Sequence, residues 1–140
     1  MYEILVDKKI LVVDDLATVR RLVHGVLARI EGLLQGSKVD LVVSDLAPNL
    51  TGVAASDQSR SLHLCELVLE FACLRLKPRG ALLVKVFQGA GYIEFLAEMR
   101  SVFASVVSRK PKASRGESAE MYLVGKGLKA QDSGFRRAKD

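Results

Sequence analysis

The sequence contains no tryptophan, and only two cysteines and two histidines among its 140 residues. His24 and His63 are isolated, so no cysteine–histidine combination has the spacing of a zinc site. Cys65 and Cys73 belong to one apparently helical segment, where their separation puts the two Cα atoms about 12 Å apart. Because this distance exceeds the reach of a disulfide, we expect two reduced thiols in a cytoplasmic protein.

Long apolar segments are also missing. The apolar runs, such as Ala81 to Val84, are far shorter than the roughly 20 residues that span a bilayer. Met1 is followed by Glu3 and Asp7 rather than by basic and then apolar residues, so we expect no signal peptide and no membrane partner. Hydrophobic residues make up 49% of the chain, which excludes a disordered protein. We predict one domain over residues 1–128 and a flexible tail over 129–140.

Charge is unevenly distributed along the chain. From Arg100 to Asp140, ten Lys/Arg against four Asp/Glu give +6, while eleven against twelve give −1 in the remainder. Four cations are close together in a predicted basic loop, namely Arg109, Lys110, Lys112 and Arg115. Such a cluster predicts weak contact with the phosphates of an RNA, and its alternative is a solvated loop without a partner.

Alternating strand and helix patterns predict an α/β fold. Helical spacing of apolar residues occurs from Val19 to Ile30, from Leu64 to Ala72 and from Phe95 to Phe103, and Thr51 to Ser59 is typical of a loop. Short apolar runs predict five strands, namely Lys8–Val13, Val39–Ser44, Ala81–Phe87, Ala104–Ser108 and Met121–Val124.

This order of elements is typical of a three-layer sandwich with a mostly parallel sheet, Rossmann-like or flavodoxin-like. We predict five strands in the order 1-2-3-5-4, with strand 5 antiparallel. Strand 1 would then lie at an open edge, and a homodimer formed through that edge is plausible. Ligands in such folds bind at the carboxyl ends of strands, where Asp14, Asp15 and Asp45 are expected.

Four segments carry a resemblance to a known family. They are Val43 to Asn49, Val84 to Gly89, Ser108 to Pro111 and Glu120 to Tyr122. From about Val26 to Leu128, the sequence resembles the C-terminal half of the FtsJ/RrmJ family. Members of that family are ribosomal RNA 2′-O-ribose methyltransferases that use S-adenosylmethionine.

The resemblance implies three catalytic residues. By motif, the family's aspartate, second lysine and glutamate correspond to Asp45, Lys85 and Glu120, and Asp45 would also contact the cofactor. An amine beside a ribose hydroxyl can take its proton or stabilise the developing alkoxide, and carboxylates can orient that amine. Ribosomal RNA is the implied partner.

This sequence departs from the family in the half that binds the cofactor. The family has a glycine-rich turn after its first strand, whereas here Asp14 to Arg20 contain no glycine. The region of the first catalytic lysine and the two strands that carry acids for the adenosine and its ribose are absent. We therefore expect an inactive chain that does not bind S-adenosylmethionine. The alternative is an active or partner-dependent rRNA ribose methyltransferase.

The first 25 residues resemble a different family. Lys9 to Asp15, followed by Thr18 to Arg21, are similar to the start of a CheY-like response-regulator receiver domain. This resemblance implies a chain recombined or engineered near Val26, with residues 26–128 as the methyltransferase-like part. It also implies a second alternative function, in which Asp14, Asp15 and Asp45 hold Mg²⁺.

Overall fold

The structure is a computed structural model that describes residues 2–4, 10–13, 28, 29, 32, 34–45, 51–111 and 119–130. Its strands are β1 (Tyr2–Ile4), β2 (Ile10–Val13), β3 (Val39–Ser44), β4 (Leu76–Phe87), β5 (Phe103–Arg109) and β6 (Glu120–Leu128). Two long helices lie within the same residues, α1 (Ala54–Arg75) and α2 (Tyr92–Val102). The strands form one mixed sheet in the order β1-β2-β3-β4-β6-β5.

The sheet is mixed: its strands are parallel from β2 to β4 and antiparallel beyond β4. β2, β3 and β4 run parallel, and β6 runs antiparallel to both β4 and β5. The register pairs Val42 with Leu82 and Leu83 with Val124. Successive side chains of a strand point to opposite faces of the sheet. From residue 80 onward, β4 therefore alternates between buried and partly exposed positions.

The hydrophobic core lies on one face of this sheet. Leu82, Val84 and Val86 point to that face and are at most 1% exposed. α1 and α2 both contribute to the same core and contact each other, with Val68 and Phe95 among its most buried side chains. In the described residues these two helices form one layer and the sheet the other, and the expected third layer stays a prediction. The first predicted helix, Val19 to Ile30, lies almost entirely outside the described residues.

The prediction of five strands in the order 1-2-3-5-4 is wrong, because the sheet has a sixth strand at its edge. β1 is an additional strand, and it pairs antiparallel with β2, which we expected to be an open edge. A three-residue segment with Glu3 at its centre carries too little apolar pattern to indicate a strand. β1 therefore replaces β2 as the edge strand, and the homodimer through that edge stays a prediction.

The segment predicted as a loop, Thr51 to Ser59, contains the start of a helix. α1 begins at Ala54, ten residues before the first apolar residue of the predicted helix. The Asp57 carboxylate stabilises this start, because its Oδ1 accepts from Thr51 N at 2.9 Å and its Oδ2 accepts from Gly52 N at 3.1 Å. These bonds lower the pKa of Asp57. The loop prediction is therefore wrong from Ala54 onward.

The remaining boundaries shift by a few residues. α1 ends at Arg75, and β4 begins directly at Leu76 instead of after Gly80. Arg79 has φ of 67° and lies beside Gly80, where an added Cβ would come within 2.9 Å of the Lys77 carbonyl oxygen. Glycine is thus required at position 80 for this tight entry into the sheet. No helix in the described part of the chain is long and apolar enough to cross a membrane.

Candidate active site

Lys85 and Asp45 come from neighbouring parallel strands. Ser44 pairs with Val84 at the carboxyl end of β3, so the next residue on each strand points to the opposite face of the sheet from the core. Lys85 Nζ lies 3.0 Å from Asp45 Oδ1. The lysine side chain is 12% exposed and the aspartate side chain 43% exposed, so the ammonium group is largely withdrawn from water while its partner remains accessible.

Tyr122 joins this pair from the antiparallel side. The register places Tyr122 directly opposite Lys85, and its hydroxyl donates to Asp45 Oδ1 at 3.1 Å. One carboxylate oxygen therefore accepts from both the phenol and the ammonium group. Tyr122 lies in one of the four segments that resemble the family, but it was not among the predicted site residues. The available clue was its spacing from Glu120, because residues two apart on a strand share a face.

Glu120 lies on the same face of β6, opposite Phe87. Its side chain interacts with the Tyr122 hydroxyl, so the phenol interacts with two carboxylates. Partial burial, followed by the negative charge and hydrogen bond of Asp45 and then those of Glu120, raises the pKa of Tyr122 to about 12. Tyr122 is thus a neutral hydrogen-bond donor near pH 7, and it connects the three residues predicted to be catalytic.

The backbone and ring around Lys85 restrict its position. Cys65 Sγ donates to the Lys85 carbonyl oxygen at 3.1 Å, and the Phe87 ring centroid lies 6.0 Å from Lys85 Nζ. Burial raises the pKa of Cys65 to about 12, which keeps it a thiol rather than a nucleophilic thiolate. Both cysteines are free, which agrees with the expected absence of a disulfide.

A tight turn fixes the ends of β4 and β6 relative to each other. Gln58 Nε2 donates to the carbonyl oxygens of Phe87 at 3.0 Å and Ala90 at 3.2 Å. Gln88 N donates to the Ala119 oxygen at 2.8 Å, immediately before Glu120. Gly89, with φ of 150°, lies against the Gln58 side chain. The first turns of α1 therefore help to set the distance between Lys85 and Glu120.

The structure describes two of the four predicted RNA-binding residues, Arg109 and Lys110. Arg109 is the last residue of β5 instead of the first residue of a loop, and it pairs with Tyr122 in the register. Lys110 follows it and is exposed. Lys112 and Arg115 lie outside the described residues, so their grouping with Arg109 stays a prediction.

The predicted Mg²⁺ site involves residues that the structure does not describe. Asp14 and Asp15 lie outside the described residues, and only Asp45 of the expected set is placed. Within the described ranges, no group of three or more His, Cys, Asp or Glu side chains is arranged to hold a metal ion. The magnesium site therefore stays a prediction, and Asp45 instead pairs with Lys85 and Tyr122.

This arrangement can act on a hydroxyl group. A buried ammonium group can stabilise a developing alkoxide or take part in its proton transfer, and it needs a fixed orientation to do so. Asp45 and Tyr122 supply that orientation through contacts of 3.0 and 3.1 Å. The phenol adds a neutral donor in a site that otherwise contains a cation and two carboxylates.

The comparisons with known proteins cover most of the chain. A family model described as FtsJ-like methyltransferase matches residues 13–128. The ribosomal RNA large subunit methyltransferase E of Neisseria meningitidis serogroup C is 58% identical over 103 residues, covering 74% of this chain and 50% of the relative. The protein of the same name from Azoarcus sp. is 60% identical over 104 residues, covering 74% of this chain and 51% of the relative.

A solved structure shows the same fold. A ribosomal RNA methyltransferase from Plasmodium falciparum superposes with a TM-score of 0.63 at 25% identity, covering 76% of this chain and 56% of that one. The chain spans about half the length of the curated relatives it matches.

These findings confirm the FtsJ part of the resemblance. They support the alternative of an rRNA methyltransferase better than the expectation of an inactive chain. The receiver-like segment over residues 1–25 and the recombined chain stay predictions, and the family match begins inside that segment, at residue 13.

Proposed function

Because the chain belongs to the FtsJ-like methyltransferase family, we propose that it forms the acceptor side of an rRNA ribose methyltransferase site. The reaction transfers a methyl group from S-adenosylmethionine to a ribose 2′-hydroxyl. The observation that carries this proposal is the contact of one Asp45 oxygen with both Lys85 and Tyr122 on the face of the sheet opposite the core. The chain acts alone or together with a partner that completes the cofactor site.

Lys85 acts on the acceptor hydroxyl. A ribose hydroxyl is a poor nucleophile, and transfer requires that negative charge develop on its oxygen. The ammonium group of Lys85 stabilises that charge more strongly than water does, because only 12% of its side chain is exposed. The hydroxyl proton is released to solvent, because an ammonium group cannot accept it. Removal of one donor that stabilises such a developing charge lowers a rate roughly 10²–10³-fold.

Asp45, Tyr122 and Glu120 orient Lys85. Asp45 holds the ammonium group at 3.0 Å, and Tyr122 fixes the same carboxylate from the far side. Since the pKa of Tyr122 is about 12, the phenol keeps its proton through the pH range in which an enzyme works. Glu120 also interacts with the phenol, so the four side chains form one connected set.

The negative charge of Asp45 suits the positively charged cofactor. S-adenosylmethionine supplies the methyl group as part of a sulfonium cation. The Asp45 carboxylate is 43% exposed at the carboxyl end of β3, and an accessible anion there suits a cationic ligand. Leu46 to Asn49 and Asp14 to Arg20, which follow β3 and β2, lie outside the described residues, so no residue is assigned to the adenosine.

Methyl transfer from radiolabelled S-adenosylmethionine to large-subunit rRNA tests the proposal. We expect transfer by the chain alone or after addition of the unmatched half of a relative, and Lys85→Ala should lower the rate by roughly 10²-fold or more. Lys126→Ala is the matched control, because this exposed lysine lies on the same sheet face near the other end of β6. Absence of transfer under both conditions, or equal rates for Lys85→Ala and the parent, would contradict the proposal.

A further inference from the structure

Three residues form a row across three adjacent strands. The register pairs Lys85 on β4 with Tyr122 on β6, and Tyr122 with Arg109 on β5. Directly paired residues of antiparallel strands point to the same face of a sheet. Arg109 therefore lies on the face that carries the candidate active site, two strand spacings from Lys85, or about 10 Å between backbones.

Burial along β5 supports this orientation. Ser108 pairs with Leu123, which is fully buried in the core, so the neighbouring Arg109 points away from the core. Val107, which shares the face of Arg109, is 38% exposed. Arg109 itself is exposed, and its Nη1 donates a long bond of 3.4 Å to the Ser108 oxygen. A guanidinium group has five N–H donors, so this bond within the described residues leaves most of them for a ligand.

The charges of the row are ordered. Asp45 lies beyond β4 on one side of Tyr122 and repels a phosphate, whereas Arg109 lies on the other side and attracts one. Glu120 is on the same strand as Tyr122, two residues before it. A guanidinium group binds phosphate oxygens through two parallel hydrogen bonds, and such contacts fix the position of a nucleic acid strand without reading its sequence. A ribose at Lys85 necessarily brings its own phosphates close by, because both belong to one backbone.

We infer that Arg109 binds a phosphate of the RNA strand whose ribose lies at Lys85. This contact sets which ribose reaches the Lys85 ammonium group. Tyr122 lies between the bound phosphate and that ribose. This inference rests on the proposed function. Among the predicted RNA-binding residues that the structure describes, Arg109 is the one that strand pairing places next to the site.

Binding of a fluorescent single-stranded RNA to the full chain, measured by anisotropy at a series of salt concentrations, tests the contact. Loss of one phosphate contact should lower the slope of log affinity against log salt by about 0.7. We expect Arg109→Ala to show this change and to weaken binding about tenfold at low salt, because a charge-assisted hydrogen bond is lost. Arg109→Lys should keep the slope and recover only part of the affinity.

Lys126→Ala provides the matched control. Lys126 is exposed on the same face of β6, four residues or about 14 Å from Tyr122, so its removal should change affinity less than that of Arg109. Equal effects of the two alanine variants would show that only general positive charge is involved, and would overturn the inference. Absence of RNA binding by the parent chain would also overturn it.

The two proposals can fail separately. If Arg109→Ala lowers the salt slope while no methyl transfer occurs under any condition, the phosphate contact stands and the methyltransferase proposal fails. If transfer occurs, Arg109→Ala should raise KM for RNA more than it lowers kcat, because the phosphate contact is present before and during the reaction. An unchanged KM would contradict the inference even in an active protein.

Discussion

Replacing Tyr122 by phenylalanine removes one oxygen atom and keeps the ring. The lost hydroxyl donates to Asp45 at 3.1 Å and interacts with Glu120. A hydrogen bond to a charged group contributes roughly 1.5–3 kcal/mol when it is fully buried. Because the Asp45 side chain is 43% exposed, water can replace the phenol. We therefore expect a loss of about 1 kcal/mol at neutral pH, or ~3–5 °C in Tm for a chain of this size.

The same residue predicts an alkaline pH dependence. The pKa of Tyr122 is raised from 10.0 to about 12, so the folded state favours the neutral phenol. The resulting stability is fully present below pH 10 and is lost as the pH rises through about 12. The full difference corresponds to ~2.7 kcal/mol, and partial exposure of the site reduces this to about 1 kcal/mol. Tyr122→Phe should lack this alkaline loss of stability.

Ultraviolet absorbance titration of tyrosinate, combined with thermal unfolding at each pH, measures both effects. The parent should show a late tyrosine ionisation near pH 12 that is missing in Tyr122→Phe. Tyr92→Phe is the control, because Tyr92 lies at the start of α2 and is outside the Asp45 contact. A late ionisation that persists in Tyr122→Phe, or that disappears in Tyr92→Phe, would refute the assignment of the hydrogen bond.

Three further predictions concern the scaffold. Asp57→Asn should lower Tm near neutral pH, because both carboxylate oxygens accept hydrogen bonds, and the difference should vanish as acid protonates Asp57 in the parent at a pH below its ordinary 3.8. Leu82→Ala, at a fully buried position, should cost about 2–5 kcal/mol in denaturant unfolding, whereas Ala81→Ser should cost much less. Cys65 should resist alkylation near pH 8 until the protein unfolds, since burial raises its pKa to about 12; rapid labelling of the native protein would contradict this.

The strand ends were the part of the site most open to prediction from sequence. Apolar runs ended at Asp45 and enclosed Lys85, and neighbouring parallel strands bring such positions together. Tyr122 was missed because its partner Asp45 lies 77 residues away, and no local pattern reports a tertiary hydrogen bond. Glu120 was selected only through the family resemblance, and the structure places it on β6, between β4 and β5.

The start of α1 shows a different limit of sequence reasoning. Ala54 to Ser59 carry no apolar stripe, so periodicity gave no reason to begin a helix there. The helix begins because a side chain within it, Asp57, binds the backbone that precedes it. Such a bond depends on a short loop with a particular shape, which composition alone does not specify.

That early start of α1 matters for the candidate site. If the helix began at Leu64, Gln58 would have no fixed position, and the turn after β4 would lose its contacts at 3.0 and 3.2 Å. The same turn holds Ala119 through Gln88, and thereby sets where Glu120 enters β6. The positions of Lys85 and Glu120 thus depend on the first turns of α1. In the described residues, these turns form no hydrogen bond with either of the two side chains. The catalytic geometry follows from the packing of α1 on the sheet as much as from the strand ends themselves.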